Sequence, residues 1–514
     1  MWCCAGVFFA AILAELSPSG SAQPTARLVV SSLAGSRLSP GANEVQWRHS
    51  RDGQSNLTGV AVDPNITYQK IDGFGASLLQ SGAIALSALP DRQQDEVMRA
   101  LFHPKDGAGF SLAKVAIAGC DANEFPYSSY DDIAGDDAMA HFSIAQDLRN
   151  NGTVALVKRA QKFGSFQIES PMDFPPDWML ERLSPEQCSR RGQGGSLSCA
   201  TLPPERFDAL ARYYLAFIRA YESHGITIDY LSMFNEPGLD CCYTNISGQS
   251  ISRLLVEHVG PLFRQGGMKT RLAFGEPSSR GAGHDTALAV MANKDAAQYV
   301  DILFYHGYDA GYTGDPGDPS KLNSSVSKIA DLHRRFPTLR LWMTEVCWAV
   351  IAGYPLTAPS LPRLDFADGL WWGQMILKDL SSGASGWIYW NAILDHNGGP
   401  YSVSPSHNNP PGNIQQPVVV VNASDHTVHY TGLYYFLAHF SKFVRPGSVR
   451  VDAISHEDGV ETVAFKDGAQ LIVQLVNSRT KNFDIELYWG EWVLPVSLPA
   501  VSITTCVWNA TTLR

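Results

Sequence analysis

The sequence has no long apolar run that could anchor it in a membrane, no metal-binding motif and no excess of basic residues. The apolar run Cys3–Leu13 is too short to cross a bilayer. Neither a CxxC pair nor an HExxH motif occurs, so we expect no metal and no cofactor. A formal net charge of -11 and a pI near 5.7 give nothing that attracts nucleic acid or an anionic membrane surface. These absences argue against a membrane-spanning protein and a nucleic-acid-binding protein.

Cysteine is scarce and its number does not favour a fully disulfide-bonded scaffold. The chain has nine cysteines, and the two in the N-terminal apolar run leave an odd number. Cys188 and Cys199 flank a Gly/Ser/Arg-rich loop and are the most plausible local disulfide, although one residue of the Cys241–Cys242 pair could bridge to that loop instead. Cys120 and Cys347 stand at the ends of predicted strands, and we expect both to be buried thiols.

The N-terminus and the sequons point to the secretory pathway. Small residues follow the apolar run, and we predict that residues 1–22 are a signal peptide cleaved after Ala22. The segment before the run lacks the usual Lys or Arg. Asn-x-Ser/Thr sequons are spread over the chain at Asn56, Asn65, Asn151, Asn245, Asn323, Asn422 and Asn509. The expected location is secreted or lysosomal/vacuolar, without a transmembrane anchor.

The middle of the chain alternates strand-like and helix-like patterns. The strand candidates are Ile71–Ala76, Leu112–Cys120, Ser165–Ser170, Ile226–Phe234, Arg271–Phe274, Val300–His306, Arg340–Thr344 and Ser385–Asn391. Helical patterns lie between them: Asp91–Phe102, Thr153–Phe163, Pro204–His224, Ser250–Arg264, Asp285–Lys294, Ser324–Arg335 and Phe366–Ser381. Eight strands with intervening helices predict an α/β fold of the (β/α)8 TIM-barrel type over residues 69–414.

The two ends of the chain are β-rich and lack the helical patterns. Ala26–Tyr68 and Val418–Trp508 alternate apolar and polar residues, and a Pro/Asn/Gly-rich stretch over 402–416 precedes the second of them. We expect one β-sandwich side domain built from both chain ends, with residues 23–68 and 415–514 as its two parts.

Two glutamates stand where predicted strands end. Glu236 closes the run Ile228–Asn235, and Glu345 closes the run Leu339–Thr344. Burying an unpaired carboxylate is costly, so a glutamate in this position is either partnered or faces a pocket. In a (β/α)8 barrel the carboxyl ends of the strands carry the chemistry, and both glutamates fall there, on the fourth and seventh candidate strands. A pair of carboxylates is what glycoside hydrolysis requires; the alternative is that each caps a helix or pairs with a structural arginine.

The motifs around these glutamates resemble those of glycoside hydrolase family 30, and among its members the glucosylceramidases (acid β-glucosidases). The similarity runs from about Ile71 to Ser448. The motifs that carry it are Ile71–Ala76, Cys120-Asp121 with Tyr130-Asp131-Asp132, Glu169-Ser170-Pro171 with Pro175–Met179, Asn235-Glu236-Pro237, Thr344–Cys347, Gly386–Asn391 with Gly398-Gly399-Pro400, and His439–Phe443. Asn-Glu-Pro alone is common in the wider clan, whereas the ordered set is far more specific.

The resemblance implies roles for the residues near the carboxylate pair. Glu236 would be the general acid/base and Glu345 the nucleophile of a retaining β-glycosidase. Asn235 would contact the sugar 2-hydroxyl, where charge develops in the transition state. Tyr308 would hydrogen-bond the nucleophile, and His306 would line the pocket. For Asn235 the alternative is strand-end capping; for the two aromatic residues it is core packing.

Two more residues would contact the sugar directly. Asp121 would accept hydrogen bonds from sugar hydroxyls, and Trp390 would offer an apolar face to sugar C–H groups. The structural alternatives are a loop cap for Asp121 and core packing for Trp390. The substrate-binding set is thus Asp121, Asn235, Tyr308, Trp390, Met172 and His306.

The chain departs from the family pattern at two positions. Glucosylceramidases have Arg where this chain has Lys114, and Lys holds a carboxylate as a point charge without the bidentate fork. The family usually has Trp after Ser-Pro in the third motif, and here the residues are Met172 and Asp173. Met offers a more flexible wall than Trp, and Asp173 adds an acceptor if it points inward. We expect this pair to shift the glycone preference.

Three functions follow from these observations. The first is a retaining β-glycosidase acting on a β-glucoside of the glucosylceramide type. The second is a secreted endo-hydrolase of a β-linked polysaccharide (β-1,6-glucan, β-1,6-galactan or xylan). The third, from another class, is a non-catalytic carbohydrate-binding protein on a barrel scaffold, and the presence of both glutamates disfavours it. The expected partner is a carbohydrate or glycolipid; the sequence does not define an oligomeric state.

Overall fold

The computed structural model describes residues 24–41, 44–50, 59–124, 128–184, 200–237, 246–310, 318–350, 361–400 and 414–513. The predicted signal peptide lies outside these residues, as do Cys188, Cys199, Cys241 and Cys242, whose disulfide pairing stays a prediction. The described cysteines Cys120, Cys347 and Cys506 are free and buried, so the expectation of buried thiols at Cys120 and Cys347 is confirmed.

Eight parallel strands form a barrel in the middle of the chain. Barrel strands one to eight are Gly73–Ser77, Leu112–Lys114, Gln167–Pro171, Tyr230–Ser232, Arg271–Ala273, Ile302–His306, Arg340–Glu345 and Gly386–Tyr389. Seven neighbouring pairs are hydrogen-bonded in parallel, including strand eight with strand one. Strands five and six meet through a single bridge between Leu272 and Val300. All eight predicted strands are present, and the predicted (β/α)8 barrel is confirmed.

Apolar side chains fill the lower part of the barrel interior. They come from strand two and from strands four to eight, and they form one buried cluster: Leu112, Tyr230, Ala273, Ile302, Phe304, Trp342 and Ile388. Strands one and two approach closely at Gly75, where a Cβ atom would lie 1.8 Å from the carbonyl oxygen of Leu112. This apolar layer fills the barrel interior. The polar residues of the candidate site lie between it and the carboxyl ends of the strands.

Helices connect the barrel strands, and most lie where the sequence predicts them. They are Gln80–Ser87, Asp91–Phe102, Thr153–Gln161, Phe207–Ser223, Gly248–Leu254 continuing through Leu255–Val259 to Gly260–Gln265, Arg280–Met291, Lys294–Ala297, Pro319–Arg335 and Gly369–Ser381. None of the helices in the described ranges is long and apolar enough to span a membrane.

One predicted helix is interrupted. The pattern over Ser250–Arg264 predicts a continuous α-helix, but Leu255–Val259 forms a π-helical turn between two α-helical segments. Pro261 is the reason, because it has no N–H to donate and its ring crowds the carbonyl one turn earlier. The wider turn absorbs that conflict without ending the helix.

Both chain ends contribute to one β-domain. Thr25–Ser32 pairs antiparallel with Ser502–Asn509, and Val60–Lys70 pairs antiparallel with Val449–Ser455. The remaining long strands are Val460–Asp467, Gln470–Asn477, Phe483–Trp489 and Trp492–Leu498. Their inward-facing residues form a second core, separate from that of the barrel. The side domain predicted from both ends is therefore present.

A helix joins the β-domain to the barrel. Gly432–Phe443 packs on the barrel helix Gly369–Ser381 and also contacts barrel strand one and the last strand of the β-domain. Its buried His439 reaches Thr505 through Nδ1 at 2.6 Å and Ser31 through Nε2 at 3.0 Å. Burial lowers the pKa of His439 to about 3, so the imidazole is neutral in this interface. The predicted boundary between residues 414 and 415 stays a prediction.

Candidate active site

Glu236 and Glu345 meet at the carboxyl end of the barrel. Glu345 is the last residue of strand seven, and Glu236 follows the end of strand four. One carboxylate oxygen of each residue lies within 4.8 Å of the other. Both side chains are nearly buried, with 8% of Glu236 and 6% of Glu345 exposed. Two carboxyl groups therefore share one small space with limited access to water.

The backbone at Glu236 is held in an unusual conformation. Its φ is +45°, in the left-handed region that residues with a Cβ atom seldom adopt. Two hydrogen bonds fix this segment: Asn235 N–H donates to the Met172 carbonyl at 2.9 Å, and Glu236 N–H donates to the Glu276 carbonyl at 2.8 Å. A conformation of this kind costs about 1–3 kcal/mol and persists where neighbouring structure enforces it. Neighbouring strands thus aim the Glu236 side chain.

Lys114 binds two carboxylates at once. Its Nζ donates to Glu276 Oε2 at 2.7 Å and to Glu345 Oε2 at 2.8 Å, and the ammonium is fully buried. Burial lowers the pKa of Lys114, but the charges of Glu276 and Glu345 outweigh that effect and leave it well above its usual value. Lys114 is therefore a permanent cation beneath the carboxylate pair.

Glu276 is a buried anion that the sequence interpretation missed. It follows strand five, has no exposed surface, and its Oε2 also accepts from Thr344 Oγ1 at 2.7 Å. Burial raises the pKa of Glu276. Lys114 and His306 lower that pKa by more than burial raises it, so the net pKa is well below the ordinary value. The signal was available, because Glu276 closes a predicted strand just as Glu236 and Glu345 do.

His306 bridges Glu236 and Glu276. Its Nδ1 lies 2.9 Å from Glu236 Oε1, and its Nε2 lies 3.2 Å from Glu276 Oε2. Burial lowers the pKa of His306, but the charge of Glu345 and the hydrogen bonds to Glu236 and Glu276 raise it to about 9. At neutral pH the imidazolium therefore donates from both nitrogens, and His306 is a site residue rather than a packed core histidine.

Charge balance in the buried cluster favours a neutral Glu236. Lys114 and His306 supply two positive charges, and Glu276 and Glu345 supply two negative ones. Burial raises the pKa of Glu236, the hydrogen bond and charge of His306 lower it, and the charge of Glu345 raises it again; the net pKa is above the ordinary value. The raised pKa of Glu236 suits a group that must deliver a proton.

Tyr308 contacts Glu345 as expected. Its hydroxyl donates to Glu345 Oε1 at 2.9 Å and lies 3.7 Å from the thiol sulfur of Cys347. Glu345 therefore accepts on one oxygen from Lys114 and on the other from Tyr308. The two donors fix the plane in which the carboxylate lies.

Asp121 and Trp390 are linked by a residue that was not predicted. Gln415 Nε2 donates to Asp121 Oδ2 at 3.0 Å, and Gln415 Oε1 accepts from Trp390 Nε1 at 3.1 Å and from Asn391 Nδ2. Gln415 is 2% exposed and lies in a short strand, Ile414–Gln415, that pairs with Ala349–Val350 beyond strand seven. No local motif marks it, because its role arises only from this long-range pairing.

Met172 is placed differently from the other predicted site residues. Its side chain has no exposed surface and belongs to the barrel core. Its carbonyl accepts the Asn235 N–H described above, so the residue supports the Glu236 segment through its backbone. The wall expected from its side chain is not presented to solvent in this structure.

Two further acidic side chains are buried near the cluster. Glu169 lies in strand three with no exposed surface, and Asp173 follows that strand with 2% exposed. Burial raises the pKa of each well above its ordinary value, and nearby carboxylates raise it more. Burial therefore favours the protonated form of both side chains. For Glu169 the carboxylate with the largest effect is that of Glu276, and neither Glu169 oxygen has a hydrogen-bond partner among the described residues.

Three potential metal ligands meet at the centre of the site. Donor atoms of Glu236, His306 and Glu345 lie within 4.8 Å of one another. Both nitrogens of His306 are engaged with carboxylates, however, and Lys114 already supplies a cation to Glu345. These side chains fit a proton-transfer site better than a metal centre.

Comparison with known proteins gives a consistent family. The glycosyl hydrolase family 30 TIM-barrel domain matches residues 71–444, and the glycosyl hydrolase family 30 beta sandwich domain matches residues 447–506. The two matches follow the barrel and the C-terminal part of the β-domain described above.

Relatives and solved structures cover most of the chain. It is 25% identical to the lysosomal acid glucosylceramidase of Mus musculus over 475 residues, covering 89% of this chain and 85% of that protein. It is 26% identical to an endo-1,6-beta-D-glucanase of Neurospora crassa over 442 residues, covering 82% of each. The fold is similar to that of SrfJ from Salmonella typhimurium, with a TM-score of 0.78 at 20% identity, covering 94% of this chain and 99% of that one.

Proposed function

This chain belongs to glycosyl hydrolase family 30, and from that membership and the geometry of its carboxylates we propose that it is a retaining β-glycosidase. One observation carries the stereochemical part: an oxygen of Glu236 and an oxygen of Glu345 lie within 4.8 Å of each other. Retaining enzymes hold their carboxyl groups about 5–5.5 Å apart, whereas inverting enzymes leave roughly 6.5–9.5 Å for a water molecule. The observed spacing favours direct attack by one carboxylate.

The proposed first step joins the sugar to Glu345. The Glu345 carboxylate attacks the anomeric carbon while the bond from that carbon to the leaving oxygen breaks. Glu236 gives its proton to the leaving oxygen, which departs as an alcohol. A glycosyl ester on Glu345 and an ionised Glu236 remain, so the cluster keeps its net charge. Lys114 and Tyr308 hold Glu345 in position for the attack.

The second step reverses these roles. Glu236 takes a proton from water, whose oxygen attacks the anomeric carbon as the ester bond to Glu345 breaks. The released sugar keeps the β configuration, and both glutamates return to their starting states. His306 donates to Glu236 throughout, which stabilises the anion formed between the two steps. Asn235 would contact the 2-hydroxyl, and Asp121 with Trp390 would hold the rest of the glycone.

For the substrate we propose a β-glucoside of the glucosylceramide type. Support comes from the relative in Mus musculus, which is named a lysosomal acid glucosylceramidase. The second candidate is endo-hydrolysis of a β-1,6-linked glucan, supported by the Neurospora crassa relative named an endo-1,6-beta-D-glucanase. Membership of a hydrolase family and the intact pair of glutamates favour both over a non-catalytic carbohydrate-binding protein.

We also propose a secretory or lysosomal location. The apolar N-terminal segment supports it, and the sequon asparagines in the described ranges are accessible. Asn65, Asn323 and Asn509 are exposed, and Asn151 and Asn422 are partly exposed. Mass spectrometry of glycopeptides from protein expressed in eukaryotic cells, before and after glycosidase treatment, tests this; unmodified peptides at all of these sites would contradict it.

The experiment for the function uses purified protein at acid and neutral pH. The substrates are glucosylceramide, aryl β-glycosides, β-1,6-glucan, β-1,6-galactan and xylan, with Glu345→Gln as the matched inactive control. NMR of the first product tells retention from inversion, and a 2-deoxy-2-fluoro-β-glucosyl fluoride should label Glu345 in a peptide map. Inverted product, or a label elsewhere, would refute the mechanism. Turnover of xylan or galactan alone would refute the choice of glucose.

A further inference from the structure

Asp173 is a buried acid with no protein partner among the described residues. Its side chain is 2% exposed, yet neither carboxyl oxygen has a hydrogen-bond partner in those ranges. A buried polar group left unpaired costs about 1–3 kcal/mol. A fold retains such a group where something else, such as a ligand, satisfies it.

The position of Asp173 relates it to the proposed sugar subsite. Asp173 follows Met172, whose carbonyl accepts the Asn235 N–H at 2.9 Å, so the chain at Asp173 runs beside the segment that carries Glu236. The negative charges of Glu345 and Asp121 raise the pKa of Asp173 further after burial has raised it. Asp173 therefore lies just beyond the carboxyl end of strand three, at the same end of the barrel as Glu236 and Glu345.

Structural roles for Asp173 fit poorly. Lys114, the nearby cation, is already bound to Glu276 at 2.7 Å and to Glu345 at 2.8 Å. Asp173 caps no helix, since the strand before it ends at Pro171 and the short turn after it begins at Asp177. By contrast, the buried acid Asp147 is satisfied by the hydroxyls of two tyrosines. Asp173 has the burial of a structural acid without the contacts of one.

A neutral carboxyl group offers one O–H donor and one carbonyl acceptor side by side. A sugar hydroxyl offers the same two capacities, so the two groups can exchange a pair of hydrogen bonds without burying a charge. We propose that Asp173 is a substrate-binding residue that pairs with one hydroxyl of the glycone. This inference rests on the proposed function and extends it to one contact that determines specificity.

Met172 and Asp173 would have separate roles. Met172 is fully buried and its carbonyl supports the Glu236 segment, whereas Asp173 has unsatisfied polar atoms. The departure from the family motif at these positions would then act through the acid and not through the thioether. The site would discriminate between sugars by the presence and orientation of one hydroxyl. A sugar that cannot hydrogen-bond to Asp173 leaves the buried acid unpaired, which weakens its binding.

The test compares variants on a set of deoxy sugars. The substrates are 4-nitrophenyl β-glucoside and its 3-, 4- and 6-deoxy analogues, or the corresponding β-gentiobiosides if only these are hydrolysed. The variants are Asp173→Ala and Asp173→Asn. Loss of a hydrogen-bonded acid should lower kcat/KM on the parent substrate by about 100-fold for Ala and about 10-fold or less for Asn, which keeps a donor and an acceptor.

One analogue should be insensitive to the substitution. The deoxy sugar that lacks the partner hydroxyl should show nearly the same kcat/KM with wild type and with Asp173→Ala, while the others keep the full loss. Equal losses on all analogues would overturn the proposal, because a merely structural role lowers activity on every substrate alike. Asp147→Asn is the control for replacing a buried acid far from the site, and should show no dependence on the analogue.

The outcomes distinguish this inference from the proposed function. If wild type hydrolyses neither these nitrophenyl substrates nor glucosylceramide or β-1,6-glucan, the proposed function fails and this inference falls with it. If wild type is active and the analogue pattern is uniform, only this inference fails. If Asp173→Ala does not fold, the same comparison with Asp173→Asn decides, with circular dichroism and thermal unfolding as checks of the fold.

Discussion

Lys114 allows the charge balance of the site to be tested by a double substitution. Its ammonium lies 2.7 Å from Glu276 and 2.8 Å from Glu345. At an effective dielectric constant of about 20, each contact is worth about 6 kcal/mol of Coulomb energy before desolvation is counted. Most of that gain offsets the cost of burying the three charges. Breaking a buried pair by removing one partner still costs about 3–5 kcal/mol.

We therefore expect Lys114→Met to be strongly destabilising and nearly inactive. Met has similar volume, so the loss is one of charge and not of packing. Glu276→Gln alone should be milder, because Lys114 keeps Glu345 and the amide can still accept from Thr344. The informative protein is Lys114→Met combined with Glu276→Gln. It removes one positive and one negative charge, and His306 then balances Glu345.

The double variant should be more stable than Lys114→Met by about 2–3 kcal/mol, the upper part of the range for coupled neighbours. Urea unfolding followed by tryptophan fluorescence measures this, with far-UV circular dichroism as a second probe of cooperativity. Partial recovery of kcat on an aryl glucoside should accompany the recovery of stability. If the double variant is no more stable than Lys114→Met, Lys114 is not the counterion of Glu276, and the charge balance drawn here for the site is wrong.

The remaining predictions concern proton transfer, acid stability and packing. Glu236→Ala should keep its first step on substrates with good leaving groups and regain turnover with added azide, giving a β-glycosyl azide; rescue of Glu345→Ala with a retained product would mean that the roles are exchanged. Burial raises the pKa of Asp147 to about 6, although two tyrosine hydroxyls lower it. The folded state therefore binds the proton more tightly than the unfolded state does. The free energy of unfolding should fall as pH rises from about 4 through 6, by up to about 3 kcal/mol. Asp147→Asn should flatten that dependence, and parallel stability curves for variant and wild type between pH 4 and 7 would contradict it. Met172→Trp should overfill a fully buried position and lower stability by about 1–3 kcal/mol; unchanged thermal unfolding would show that the side chain has room to reach the pocket.

The barrel was predictable because its signals are local. Short apolar strands separated by amphipathic segments predict the alternation, and the helix Asp91–Phe102 begins and ends at the predicted residues. Strand lengths were less accurate. The candidate Leu112–Cys120 is regular strand only to Lys114. Val115 and Ile117 still donate to strand three, and the chain turns away at Ala118, where φ is +64°. Hydrogen-bond partners, which hydropathy does not contain, decide where a strand stops.

The site was predictable where function leaves a motif and obscure where it depends on distant pairing. Glu236 and Glu345 stand at strand ends within recognisable motifs. Glu276 stands at a strand end without one, and the same reasoning applied to strand five would have found it. Gln415 could not be found in this way, because its contact with Asp121 joins residues almost three hundred positions apart.

The pairing of Thr25–Ser32 with Ser502–Asn509 also fixes an order of events during synthesis. The first strand leaves the ribosome about 470 residues before its partner, which at roughly 5–20 residues per second is about half a minute to a minute and a half. Throughout that time its edge is unpaired, while the barrel between the two strands has all of its own strands. A chain truncated near residue 500 would lack Ser502–Asn509, so the edge of Thr25–Ser32 would stay unpaired. Premature termination close to the end of the message should therefore produce a protein with a complete barrel that is retained by chaperones or degraded.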